Sequence, residues 1–227
     1  MASMTKNFIA RVRSQAASAR SKWFRDYVRA MPRPLRIIDL GGSVEMWQRW
    51  GAVPEDGLDI TLLNHHALDT SHRDEPVVFD FLRKETCDAL KLTPQDLAAY
   101  DLIFSNSMLE HLPTRDAQRK LANIIVNSGR PYFVQVPNKN SPVDPHFPHP
   151  AVPFFAIYPR ALQARLYAVS ALGSRCRASS TQAALDELAF YNPLGASDMR
   201  KLFPNADLGI QWTSALPMSI IVRRSIA

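Results

Sequence analysis

The feature that most constrains the fold is residues 36–43 (RIIDLGGS), where an apolar run ends at Asp39 and two glycines follow. Residues 44–50 can form a helix, so the run predicts a strand, a tight turn and a helix. Gly41 and Gly42 let the backbone bend sharply and let a ligand come close, because no Cβ is in the way. Open α/β sheets bind ligands at the carboxyl ends of their strands, so we expect Asp39 to point into such a crevice.

Further strand-like runs follow the first strand, 35–39, and predict a parallel α/β sheet with helices in the crossovers. The predicted strands are residues 60–63, 77–79, 101–104 and 132–136, and a helix at 198–203 and two strands within 208–222 complete the sheet. The proline-rich stretch 137–153 is predicted to be a wall of the substrate site. Helices are predicted before the first strand, at 5–30, and after the proline-rich stretch, at 160–172 and 182–190.

Together these segments resemble motifs I to V of the class I S-adenosylmethionine-dependent methyltransferases, over roughly residues 37–138. The most specific parts are the DLGG turn, the LLN ending of the second strand and the SNSMLEHL block. The VPN sequence followed by DPHFPHP resembles small bacterial methyltransferases of the type 11 kind. The resemblance implies a Rossmann-like, seven-stranded, mostly parallel sheet flanked by helices, with a helical and loop insertion after strand five, and S-adenosylmethionine as cofactor.

The resemblance also implies which residues bind the cofactor at the strand ends. Asn64 stands where most members of the superfamily have an acid that holds the ribose hydroxyls, and an amide can still donate and accept there. A turn-forming Asn is the alternative. Asp80 resembles the acid that accepts from the adenine amino group, and Phe81 lies along the adenine or packs in the core. The expected cofactor-binding residues are Asp39, Gly41, Gly42, Ser43, Asn64, Asp80, Phe81, Ser105 and Asn106.

Histidines near the fourth strand are the candidate catalytic groups. Methyl transfer to a hydroxyl needs alignment and removal of a proton. His111 is the first candidate base, because imidazole titrates near neutral pH and the residue follows strand four. His146 and His149, from the proline-rich stretch, are the further candidates. The alternative for His111 is a capping or packing role.

A divalent metal ion is the alternative to this base. In some related methyltransferases the pattern E-x-x-E-H binds a divalent ion, but here Ser107 replaces the first carboxylate. Glu110 and His111 remain, and His146 could add a ligand. Two firm ligands make a weak site for Mg²⁺, which prefers octahedral oxygen coordination. The sequence therefore predicts no metal.

The charge is uneven along the chain. Residues 1–36 hold nine Lys or Arg and one acid, a net +8, whereas the remaining 18 basic and 20 acidic residues give −2. We expect a basic N-terminal helix, 1–34, before a methyltransferase domain, 35–227, whose residues 139–195 lie on the substrate side. The helix can contact an anionic surface. A solvated helix face and a transit peptide are the alternatives.

Composition and motifs exclude or weaken several function classes. No apolar run reaches the ~18 residues of a membrane span, and Cys87 and Cys176 lack metal or disulfide spacing, which indicates a cytoplasmic protein. A dehydrogenase would need a third glycine, but Ser43 follows Gly42. No aromatic RNA-binding motif accompanies the basic segment. The expected acceptor is a hydroxylated small molecule, sugar or glycan; the alternative is a non-catalytic protein that binds the cofactor.

Overall fold

The computed structural model describes residues 2–66, 80–144, 146–147, 152–169 and 180–224. Within these residues seven strands form one sheet in the order β3-β2-β1-β4-β5-β7-β6. β7 is antiparallel to β5 and β6, whereas the pairs from β3 to β5 are parallel. The strands are β1 (Leu35–Leu40), β2 (Leu58–Asn64), β3 (Leu82–Thr86), β4 (Leu102–Asn106), β5 (Tyr132–Pro137), β6 (Asp207–Thr213) and β7 (Leu216–Arg224).

Helices cover both faces of this sheet. One face packs against the N-terminal helix and the helix after the glycine turn, and the other face packs against helices from the middle and end of the chain. The helices are α1 (Ala2–Val28), α2 (Val44–Arg49), α3 (Pro94–Leu97), α4 (Arg115–Asn127), α5 (Arg160–Val169), α6 (Thr181–Leu188) and α7 (Ala196–Leu202). In the described part of the chain, no helix combines the length and apolar character needed to cross a membrane.

The segment between β5 and β6 carries the predicted helical and loop insertion. Helices α5 and α6 pack against each other and enclose a small core of their own, in which the rings of Phe147 and Phe155 stack with centroids 4.3 Å apart. Tyr191 belongs to the same core. The insertion is therefore a packed unit that can hold side chains over the edge of the sheet.

Helix α1 is part of the domain core, although its sequence is strongly basic. Phe24 is buried, and its ring centroid lies 5.0 Å from that of Phe104 and 5.5 Å from that of Trp47. Val28, one turn later, is also buried. One face of α1 therefore fills the apolar space above the central strands, while most of the basic residues from Arg11 to Arg29 lie on the exposed side.

Six of the predicted strands are confirmed, because β6 and β7 match the two strands predicted within 208–222, and the third is not. β1, β2, β4 and β5 match the predicted strands within one or two residues, but residues 77–79 lie outside the described residues. The strand that pairs with β2 is β3, which begins only at Leu82. It is an edge strand whose middle residues Arg83, Lys84 and Glu85 are exposed, so an apolar run was the wrong signal for it.

Candidate functional site

The glycine turn after β1 has a backbone geometry that excludes side chains. Gly41 has φ +76°, and a Cβ there would lie 2.5 Å from Cγ of Met108. A Cβ on Gly42 would lie 2.1 Å from Oδ2 of Asp39. Ser43 then caps α2, its hydroxyl accepting from the amide of Met46. The turn thus leaves exposed backbone at the carboxyl end of β1, where a ligand can approach closely.

Asp39 lies beneath this turn. Its side chain has no exposed surface, and its Oδ2 accepts a hydrogen bond of 2.8 Å from the Trp47 indole. Oδ1 has no hydrogen-bond partner among the described residues. Burial raises the pKa of Asp39 to about 7, and the Trp47 hydrogen bond opposes this rise. The expectation that the carboxylate points into the open crevice is therefore wrong in this structure, because Gly42 and Trp47 cover it.

Asn64 ties the end of β2 to the glycine turn. Its Nδ2 donates to the carbonyl oxygen of Gly42 at 2.9 Å. The amide of Cys87 donates to the carbonyl of Asn64 at 2.9 Å, which places Asp88 beyond the same sheet edge. The sequence patterns did not identify Asp88, because they predicted the third strand further upstream. The sequence signal for Asp88 was its position five residues before Thr93, which caps a helix.

Asp80 and Phe81 lie at the amino ends of the parallel strands, opposite the carboxyl ends where the glycine turn lies. The amide of Ile60, near the start of β2, donates to the carbonyl of Phe81 at 2.7 Å, and Phe81 packs in the core. Because β3 begins after these two residues, they precede the strand instead of following it. The predicted adenine contact through Asp80 and Phe81 is therefore wrong.

The polar residues at the end of β4 have different surroundings, since some bond to the sheet and others lie at the crevice. The Ser105 hydroxyl is buried and donates to the carbonyl of Leu40 at 3.0 Å, so it joins β4 to β1 and does not face the crevice as predicted. Asn106 is half-buried, and its Oδ1 has no hydrogen-bond partner in the described structure. Ser107 has φ +60° and donates to Gln135 at 3.0 Å. Such strained residues cluster at functional sites.

His111 and His146 are brought together beyond this strand end. Nδ1 of His111 lies 3.2 Å from the carbonyl oxygen of Phe190, and Nδ1 of His146 lies 3.3 Å from Oδ1 of Asp144. A carbonyl and a carboxylate only accept, so each Nδ1 carries its proton when the ring is neutral. The two Nε2 atoms are 3.1 Å apart. Their lone pairs face each other, and a proton between them relieves that repulsion.

The surroundings of His111 favour its neutral form. Burial lowers the pKa of His111, the charge of His146 lowers it further, and the Phe190 carbonyl opposes both. Burial alone would raise the pKa of Asp144, but hydrogen bonds from His146 and Tyr191 outweigh it and lower that pKa. Asp144 therefore remains a carboxylate that orients His146. Its role has a sequence signal, because Asp side chains often bond the backbone amide two residues on, as here at 2.7 Å.

Glu110 is buried beside the two histidines. Neither of its carboxylate oxygens has a hydrogen-bond partner among the described residues, and Oε1 lies 4.0 Å from Nε2 of His111. Burial raises the pKa of Glu110 to about 7, and the charge of His146 opposes this. One ligand atom each from Glu110, His111 and His146 lie within 4.8 Å of one another, so the set could hold a metal ion. The sequence prediction of no metal counted two firm ligands, and the fold adds the third; His149 lies outside the described residues.

Comparisons with known proteins address the fold. No protein-family model matches the sequence, and no curated protein matches it significantly. A solved S-adenosylmethionine-dependent methyltransferase from Mesorhizobium loti is 16% identical with a TM-score of 0.51, covering 89% of this chain and 96% of that one. The CurJ carbon methyltransferase is 11% identical with a TM-score of 0.52, covering 91% of this chain but 53% of that one.

A structure from Rhodobacter sphaeroides described as a Zn-dependent alcohol dehydrogenase is also similar, at 10% identity and a TM-score of 0.53, covering 88% of this chain and 87% of that one. The sheet order separates the two kinds of fold. The usual dinucleotide-binding sheet has the order 3-2-1-4-5-6, whereas here an antiparallel β7 lies between β5 and β6. The chain has the class I methyltransferase fold. At these identities the likeness to methyltransferases establishes their fold alone.

Proposed function

We propose that the chain is an S-adenosylmethionine-dependent methyltransferase that methylates a hydroxyl group of a small molecule, sugar or glycan. The observation that carries this proposal is the His111–His146 pair, held by Phe190 and Asp144 beyond the carboxyl end of β4. That edge is where open α/β sheets bind their ligands. Two imidazoles whose Nε2 atoms lie 3.1 Å apart are suited to share one proton there.

The residues of the first two strand ends fit the cofactor. Gly41 and Gly42 form a turn that a Cβ would obstruct, and Asn64 fixes that turn from β2. Asn106 adds a side-chain amide oxygen, Oδ1, that has no hydrogen-bond partner in the described structure. Asp88, two residues after β3, lies at the same sheet edge with its carboxylate accepting from the amide of Leu90, and we assign it, in place of Asp80, to the adenine side. When bound, S-adenosylmethionine supplies a methyl group on a positively charged sulfur.

The histidine pair supplies the proton acceptor. The acceptor hydroxyl gives up its proton to the pair on the side of His111, which is about half exposed, and the proton then lies between the two Nε2 atoms. Asp144, itself bonded by Tyr191, stabilises the protonated pair through Nδ1 of His146. General bases of this kind contribute roughly two to four orders of magnitude in rate.

The narrower assignment to the type 11-like bacterial group remains part of this proposal. Its support is that Asp144 and His146, both from the DPHFPHP stretch, lie in the site. The second candidate is a protein that binds the cofactor without catalysis. It is supported by the departures at Ser43 and Asn64 from the usual glycine and acid.

Radiolabelled methyl transfer tests the function. The protein is incubated with methyl-labelled S-adenosylmethionine and with small-metabolite, glycan, lipid and RNA fractions. We expect label in the small-metabolite or glycan fraction with the parent and a loss of that label with His111→Ala. Binding of the cofactor with no label in any fraction would favour the non-catalytic candidate.

A further inference from the structure

Helix α1 carries an arginine on its buried stripe. Val12, Ala16, Phe24 and Val28 are all buried and recur at intervals of four or eight residues. Arg20 lies four residues after Ala16 and four before Phe24, on the same face of the helix, so the helical period directs its side chain towards the sheet. Its Nη1 donates to the Ser219 hydroxyl at a long 3.4 Å, and its buried Nε has no hydrogen-bond partner among the described residues.

A cavity of about 1050 Å³ lies between α1 and the sheet edge. On the sheet side it is lined by Ser107, Gln135 and Pro137, at the carboxyl ends of β4 and β5, and by Ser219 on β7. Among the described residues that line it are six cations and one acid, Asp26. The cations are Arg13, Arg20, Lys22, Arg25, Arg29 and Arg49.

The acid does not neutralise the inner part of the cavity. Asp26 already forms ion pairs with Lys22 and Arg29 at the exposed end, and Arg25 donates to backbone carbonyls of Trp50 and Gly51. Asp26 therefore leaves the guanidinium of Arg20 unneutralised, and Arg49 and Arg13 lie close enough to lower its pKa.

The position of Arg20 is unfavourable without an anion. Burial, together with the charges of Arg49 and Arg13, lowers the pKa of Arg20 to about 10, and the nearby Glu110 opposes them. Glu110 does not satisfy the guanidinium, because its oxygens make no hydrogen bond to any described residue. A buried guanidinium N–H such as that of the Arg20 Nε is costly unless it is hydrogen-bonded, and anions with paired oxygens, such as carboxylate and phosphate, match the donors of a guanidinium.

We propose that this cavity binds an anionic group of the methyl acceptor, a phosphate or a carboxylate, on Arg20 with support from Arg13 and Arg49. The inference rests on the proposed function and narrows it: the acceptor is a hydroxylated small molecule that carries an anion. The cofactor cradle lies over β1 and β2, whereas Arg20 contacts β7, next to Pro137 of β5. A cavity of this volume, roofed by α1, suits one small molecule better than an RNA strand.

Calorimetric titration with inorganic phosphate and with malonate tests the site and distinguishes the two anion types. We expect the parent to bind at least one of them, and Arg20→Gln to weaken binding about tenfold or more, as expected for loss of a charged hydrogen-bond donor. Arg49→Gln, an exposed position that leaves the fold intact, should weaken it several-fold. The matched control is Arg119→Gln on α4, an exposed arginine on the other face of the sheet.

Three outcomes would overturn the assignment. The first is that neither anion binds the parent. The second is that folded Arg20→Gln and Arg49→Gln, checked by thermal melting, bind like Arg119→Gln. The third is that Arg20→Gln leaves phosphate and malonate binding unchanged but weakens S-adenosylmethionine or RNA binding. That result would mean that Arg20 binds the cofactor or a nucleic acid. Failure of the parent to bind S-adenosylmethionine would contradict the methyltransferase proposal separately, because anion binding is measured without the cofactor.

Discussion

At the scale of single residues, the site depends on polar groups buried without full compensation. Asp39 and Glu110 are buried acids with raised pKa values, and Arg20 is a half-buried cation whose buried Nε has no hydrogen-bond partner among the described residues. Unpaired buried polar groups destabilise a fold unless a ligand or function retains them. Their position at one sheet edge is therefore the residue-level reason for placing the active site there.

The first prediction concerns Asp39 and the pH dependence of stability. Its pKa is about 7 when folded and about 3.9 when unfolded. The stability that Asp39 contributes is therefore fully present below about pH 4 and is lost as the pH rises towards 7, by up to about 4 kcal/mol. Urea unfolding between pH 4 and 7.5 should show a flatter profile for Asp39→Asn than for the parent. Parallel profiles would contradict the raised pKa; exposed Asp116→Asn is the control.

The second prediction concerns the proton acceptor. His111→Ala should lower turnover by about two orders of magnitude or more, while cofactor affinity stays within a few-fold. His111→Gln should be nearly as poor, because it keeps a polar shape but cannot take up the proton. His66→Ala, an exposed histidine, should behave like the parent.

Two results would contradict the base role of His111. One is full turnover in both His111 variants, which would make the residue structural. The other is loss of parent turnover in EDTA with recovery on adding a divalent ion, which would make Glu110, His111 and His146 metal ligands. The pH–rate profile adds a check: because burial lowers the pKa of His111, turnover should rise with pH through an ionisation below the usual histidine value.

At the scale of elements, sequence patterns predicted six of the seven strands but neither the polar edge strand β3 nor the arrangement of the loops. The buried strands are apolar runs in the sequence, as in β1, β2, β4 and β5. β3 is polar, so its predicted position was wrong, and the roles predicted for Asp80 and Phe81 were wrong for the same reason. The pairing of His146 with His111 depends on a loop fold that no local pattern specifies. Arg20 was predictable in principle, since it lies on the apolar stripe of a predicted helix.

The third prediction tests whether the basic N-terminal helix is structural. Phe24 packs against Trp47, Phe104 and Phe133, so Phe24→Ala should lower the free energy of unfolding by about 3–5 kcal/mol. Arg29→Ala on the exposed side of α1 should change it by less than about 1 kcal/mol. Urea denaturation measures both. Equal, small effects would mean that α1 does not contribute to the core.

At the scale of the whole molecule, the carboxyl edge of the sheet collects three features that are distant in sequence. The glycine turn comes from residues near position 41, the histidine pair joins the β4 end to the insertion, and the cavity is roofed by α1. Each feature alone has a structural explanation. Their convergence on the side of the sheet where this fold binds ligands is what supports a methyltransferase with an anionic, hydroxylated acceptor.

The most direct test of that account is calorimetric titration of S-adenosylmethionine into the parent, Gly41→Val and Gly129→Val. The control is matched, because Gly129 also has a positive φ, of +69°, but a Cβ there meets nothing within 4 Å. We expect one cofactor per chain for the parent and for folded Gly129→Val, and no measurable binding for Gly41→Val, whose side chain fills the turn beside Met108. No binding to the parent, or equal affinity in Gly41→Val, would contradict the account.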